Sequence, residues 1–164
     1  MALKAEIEAI VASMTDKPGF LFGDVNELNT LADDIETTEF TEDNNVVKLK
    51  PFVFMFALQP VNNNFTNNNS INNTYDIYLE FLFKIEFDTY TWQCEPLDVA
   101  ATKLVNEFLI RLKDFRGPNG GRMFKINVGD KTRSQQVFNK YDLNTVGRNL
   151  TMTLETLYNE KLCL

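Results

Sequence analysis

The chain has 164 residues, a formal net charge of −7 at pH 7 and no histidine. With 44% hydrophobic residues and fourteen Phe it is too apolar for a disordered chain, and its length suits one domain over residues 1–164. The acidic balance argues against wholesale coating of nucleic acid, and the missing histidine removes the commonest neutral-pH base, the usual partner of Ser or Cys nucleophiles and the commonest transition-metal ligand.

Leu3, Ile7, Ile10, Val11 and Met14 recur at spacings of three and four, which predicts an amphipathic helix over about 2–15. Thr15-Asp16-Lys17-Pro18-Gly19 ends it, and Phe20-Leu21-Phe22-Gly23 reads as a short apolar connection. Val25, Leu28, Leu31, Ala32 and Ile35 fit a second, shorter helix or turn with Asp24 as its N-cap, and the acidic segment to Asn45 reads as an exposed loop.

Val46 to Leu58 is aromatic and β-branched, with Phe52-Val53-Phe54-Met55-Phe56 apolar enough for a strand buried on both faces and Pro51 at an edge or bulge. Tyr75, Ile77, Leu79, Phe81, Phe83, Ile85 and Phe87 alternate with Asp76, Tyr78, Glu80, Leu82, Lys84, Glu86 and Asp88, so one face of that strand is core and the other mostly wet. Between the two strands, eight of the fourteen residues from Val61 to Thr74 are Asn, which reads as a mobile hairpin tip. The sequons at Asn64, Asn68 and Asn72 follow from that composition as readily as from glycosylation.

Leu97, Ala101, Leu104, Val105, Phe108, Leu112 and Phe115 mark an amphipathic helix over about 96–116, stopped by Gly117-Pro118-Asn119-Gly120-Gly121. A strand at Arg122–Val128, a Gly129-Asp130 turn, a more polar strand to about Tyr141, a loop over Asp142–Gly147 and a last strand around Leu150, Met152 and Leu154 complete the chain. The expected fold is α+β: an antiparallel sheet with a long hairpin, packed on one side by the N-terminal and central helices.

Charge is distributed unevenly along this order. Between Lys17 and Lys48 there are eight acidic residues and no basic one, whereas Lys103 to Arg148 holds ten basic residues against four acidic. Opposite patches on one chain allow copies to bind head to tail, and such heterologous contacts close into a ring when the rotation allows. Asp33, Asp34 and Glu36 on one side, with Arg122, Lys125, Lys131 and Arg133 on the other, are the candidate contact residues; ordinary solvated surface charge is the competing reading.

Other chemistry is weaker. The run Arg116–Arg122 leaves a helix C-terminus, the wrong polarity for a phosphate-cradling loop. The carboxylates from Asp33 to Asp43 lack the spacing and central glycine of a helix-loop-helix calcium loop. Lys125, Lys131, Arg133 and Lys140, with Phe124, Phe138 and Tyr141, could touch phosphate nonspecifically. Cys94 and Cys163 need no disulfide, and no apolar run reaches about 18 residues. No cofactor, no metal and no membrane contact are expected.

The element order, together with Arg122-Met123-Phe124-Lys125-Ile126-Asn127-Val128-Gly129-Asp130 and the ending Leu150-Thr151-Met152-Thr153-Leu154-Glu155-Thr156, resembles tail terminator and head-to-tail joining proteins of tailed bacteriophages, of the kind in phages of Bacteroidetes-type gut bacteria. The resemblance implies a non-enzymatic virion subunit assembled in the bacterial host cytoplasm. It implies a ring, commonly of six or twelve copies, that meets portal, connector or tail proteins, with a lumen through which DNA passes. The alternative is a small monomeric or dimeric protein-binding module. A carboxylate-dependent enzyme is a third reading, for which no nucleophile, base or cofactor signature converges.

Overall fold

The computed structural model describes residues 3–31, 34–40, 46–56, 61–65, 70–86, 91–117, 120–126, 132–138, 144–156 and 160–161. It has the expected α+β architecture: helices pack on a sheet whose pairings are antiparallel except at one edge.

The centre is a long strand, β6 (Ser70–Lys84), paired along one side with β9 (Thr145–Thr156) over eleven consecutive rows from Thr74↔Glu155 to Lys84↔Thr145. On its other side β4 (Pro51–Phe56) pairs with the second half of β6, and β5 (Val61–Phe65) with the first. Beyond β4 lies β1 (Gly19–Gly23), parallel to it; beyond β9 lie β7 (Phe124–Ile126) and β8 (Arg133–Phe138). The short β10 (Glu160–Lys161) meets the start of β6. A separate small ladder joins β2 (Glu39–Phe40) to β3 (Val46–Lys48).

Two helices cover one face. In α1 (Leu3–Ala12) the buried side chains are Leu3, Ile7, Ile10 and Val11, the stripe that the three-and-four spacing predicts. In α3 (Glu95–Asp114), which follows a 3₁₀ turn at Thr91–Cys94, they are Leu97, Ala101, Leu104, Val105, Phe108 and Leu112. Both stripes pack on Val53, Met55, Ile77, Leu79, Phe81, Phe83, Val146, Leu150, Met152 and Leu154, with Phe81 and Phe108 edge to face at 5.5 Å. Each large side chain removed from water there contributes about 1.5–3 kcal/mol. Glu107 ties the two helices together: its Oε1 accepts from the Thr15 N–H at 2.8 Å, the Thr15 hydroxyl at 2.9 Å and Arg111 Nε at 2.8 Å.

The second face is not wholly wet, which corrects the reading of β6. A short helix, α2 (Val25–Leu31), lies on this side, and Leu28, Phe52, Phe54, Leu82 and Val137 form a second core with Leu21, Ile35 and Phe56 against it. Leu82 and Glu80, placed by alternation on the wet face, are fully buried. Asp24 caps α2 as expected, in a reciprocal box: Asp24 Oδ1 accepts from the Glu27 N–H at 2.9 Å, and Glu27 Oε2 from the Asp24 N–H at 2.7 Å.

Four segments depart from the expected elements. Glu39–Phe40, within the segment expected as an exposed loop, is a short strand held by β3, and Thr38 before it is buried. Gly19–Gly23 is a strand where a connection was expected. The ladder also runs well into the Asn tract, with Asn62↔Thr74, Asn63↔Asn73 and Asn64↔Asn72 paired, because backbone hydrogen bonds form a ladder whatever the side chain; residues 66–69 lie outside the described residues. The last strand begins at Thr145 and runs through Gly147, where a loop was expected.

Candidate functional site

The rows of the sheet locate the charged candidates. Cross-strand partners run in register from one edge to the other: Gly19–Phe52–Leu82–Gly147–Val137, then Phe20–Val53–Phe81–Arg148–Gln136, Leu21–Phe54–Glu80–Asn149–Gln135, and Phe22–Met55–Leu79–Leu150–Ser134. β1 and β8 are thus level with each other on opposite edges, separated by the width of three strands.

Asp34 and Glu36 are brought together, beside the start of β1 and β4. They line a cleft of about 550 Å³ with Asp16, Lys17, Lys48 and Lys50 on its walls and Phe20, Leu21, Ile35, Leu49 and Phe52 among its apolar lining. The two lysines that bracket the acidic run in sequence therefore return to its flank, and Lys50 forms an ion pair with Glu36. Local charge there is more balanced than the linear sequence shows. Asp33, Glu42 and Asp43 lie outside the described residues.

Arg122, Lys125 and Arg133 are exposed on the other edge. Lys125 is shared with Glu155 on the adjacent strand at 3.6 Å. Arg122 lies directly across from Arg116 in an antiparallel bridge, within a tight connection in which the Gly117 N–H donates to the Gly121 carbonyl at 2.9 Å and Gly120 takes φ +74°. Lys131 and Lys140 lie outside the described residues. Phe124 opposes Thr156, nine residues along β9 from the row of Phe52, so Arg122 and Lys125 sit about 30 Å further along the strands than Asp34 and Glu36. The acidic and basic groups occupy diagonal corners of the sheet and do not meet within one copy.

Two other members of the basic tally are committed internally. Arg111 pairs with Glu107 at 2.6 Å, and Arg148 is held by Asp98. The exposed acidic residues level with the far end of β1 are Asp24, which caps α2, and Glu27. An apolar Phe-Leu-Phe run between two glycines was the available signal that an edge strand precedes them.

Three of the described ionisable groups are shifted by their surroundings. Burial pushes the Cys94 thiol up, away from the thiolate a nucleophile needs. Burial likewise raises the Glu6 carboxyl, whose Oε2 has no hydrogen-bond donor among the described residues. At Glu107 burial also acts upward, but the bonds from Thr15 and Arg111 outweigh it and hold the carboxyl below its usual range. On the second face, the Gln135 N–H donates to Asn149 Oδ1 at 3.0 Å, Asn149 Nδ2 to the Tyr78 hydroxyl at 3.2 Å, and that hydroxyl to Glu80 Oε1 at 2.8 Å. This chain of bonds fixes β8 to the sheet, leaving its outer edge without a paired strand among the described residues.

No family model matches this chain, and a search of curated proteins finds no match.

Proposed function

We propose that this protein is a structural virion subunit, a ring-forming head-to-tail connector or tail terminator of a tailed bacteriophage. One observation carries the reading: exposed Asp34 and Glu36, in a corner of the sheet they share with Lys17, Lys48 and Lys50, lie out of reach of exposed Arg122 and Arg133 on the far edge within one copy, and each group is available to a neighbouring copy. Such an arrangement suits heterologous, head-to-tail contact, which closes into a ring when the rotation allows. The neighbours would be portal, connector or tail proteins, with six or twelve copies surrounding a lumen. Arg116 and Arg122, side by side and exposed, supply positive charge for nonspecific contact with DNA passing through it.

A monomeric or dimeric protein-binding module is the second reading, favoured by the cleft beside Asp34 and Glu36, whose apolar lining and mixed-charge walls suit a peptide segment. Light scattering on eluting protein at low and high salt separates the two. Rings, or higher oligomers that dissociate with salt, support the virion subunit; a stable monomer at high concentration supports the module. Neutralising Asp33, Asp34 and Glu36 together should weaken assembly, and unchanged assembly would remove these acids from the contact.

A further inference from the structure

The geometry points to a specific contact between copies: edge strand β1 of one subunit pairs antiparallel with edge strand β8 of the next, continuing the sheet around the ring. The inference rests on the ring-forming reading above and deepens it by naming the strands that join.

Strand direction supplies the first argument. β4 runs antiparallel to β6, and β1 runs parallel to β4. β9 is antiparallel to β6, and β8 antiparallel to β9, so β8 runs with β6 and opposite to β1. A second copy set beside the first in the same orientation therefore presents β1 antiparallel to β8, the commoner pairing.

Level and facing supply the second. The rows that end in Gly19, Phe20, Leu21 and Phe22 at one edge end in Val137, Gln136, Gln135 and Ser134 at the other. A neighbour placed without stagger pairs these residues directly. Each also keeps its face: Phe20 and Phe22 belong to the helix-covered core and Leu21 to the second core, while Val137 belongs to that same second core. The pleat thus keeps its facing across the join, with Gly19 beside buried Val137 and Phe20, Leu21 and Phe22 beside the exposed Gln136, Gln135 and Ser134, as a shift by one residue would forbid.

Charge and edge protection supply the third. β1 carries no charge, no proline and no bulge of its own, three of the devices that keep an edge strand from pairing. Continuing the register by one residue sets exposed Arg133 beside Gly23, next to exposed Asp24 and Glu27. Phe138, 39% exposed at the other end of β8, lies on the helix-covered face where the neighbour's Phe20 offers apolar cover.

Cysteine cross-linking in the full chain tests this. In a Cys163→Ser background, Leu21→Cys and Gln135→Cys are introduced together and singly. Within one copy these positions are four strand spacings apart, about 19 Å, far beyond disulfide reach, whereas paired across the join they fall within it. Oxidation of the double variant should give a ladder of linked oligomers, and neither single variant should. In parallel, Gly19→Lys places a charge on the edge where a new Cβ meets only Phe52 Cβ at 3.6 Å, an ordinary contact, and should lower the assembled fraction at least tenfold while the fold is kept. Rings that form without cross-links and tolerate Gly19→Lys would overturn the β1–β8 contact and leave the ring reading standing. Linked dimers from a single variant would overturn it in favour of a two-fold contact. A wild-type chain that stays monomeric at high concentration would remove the ring reading, and this inference with it.

Discussion

Arg148 on β9 and Asp98 in the first turn of α3 meet as a two-bonded fork, Nε to Oδ1 and Nη2 to Oδ2 at 2.9 Å each. Arg148 lies on the helix-covered face, directly opposite Phe81 on β6. Both side chains are largely covered, at 26% and 21% exposure, so the pair acts where water screens it poorly. It fixes the start of the central helix to the middle of the sheet, and Asp98 also sits where the helix dipole favours a negative charge.

Replacing Arg148 with Lys keeps the charge but loses the planar fork. The variant should lose about 1 kcal/mol, and Arg148→Ala about 2–3 kcal/mol because Asp98 is then left half-buried without its partner. Urea unfolding midpoints of the two variants, together with Asp98→Asn, measure this. If Arg148→Ala unfolds at the wild-type midpoint, the fork does not hold α3 to the sheet.

Gly147 needs no side chain for a different reason than a turn. A Cβ built there runs into the carbonyl oxygen of Phe81 and comes within 2.9 Å of Leu82 Cα, because β6 and β9 approach closely at this row. Gly147→Ala must push two central strands apart and should cost about 1–3 kcal/mol or more. Gly121→Ala, where a Cβ meets nothing within 4 Å, is the matched control and should change the thermal midpoint little. Equal effects at the two sites would show that crowding at Gly147 is relieved cheaply.

These sites also mark what the sequence could and could not reveal. The apolar stripes of α1 and α3 were legible because burial on one helix face leaves a three-and-four period, and the alternation over Tyr75–Phe83 was legible for the same reason in a strand. Glu80 broke the alternation rule because its cover, Phe54 beside it and α2 above the neighbouring Phe52 and Leu82, comes from segments remote in sequence. Strand β1 was missed since five apolar and glycine residues carry no period, and a parallel edge strand becomes a strand only through its partner. Charge was the least legible property. Counting along the chain gave a basic end and an acidic end, but Lys17, Lys48 and Lys50 fold back beside Asp34 and Glu36, and Arg111, Arg148 and Lys125 find carboxylates at home. A uniformly acidic patch does not survive this accounting.

Glu107 gives the fold a pH dependence with a definite sign. Burial acts to raise its carboxyl, but the Thr15 N–H, the Thr15 hydroxyl and Arg111 favour the charged form more strongly, and the folded-state value lies below the ordinary one. A carboxylate depressed on folding stabilises the protein above its unfolded-state pKa, about 4.3, and that contribution disappears as pH falls through the lower folded-state value. Glu107→Gln should therefore lower the unfolding midpoint at pH 7, where α1 loses a charged anchor on α3, and the gap from wild type should narrow steadily below pH 4. Paired urea titrations from pH 7 to pH 3 read this directly. A gap of constant size over that range would mean that Glu107 joins the helices by shape and neutral hydrogen bonds, with its charge contributing nothing.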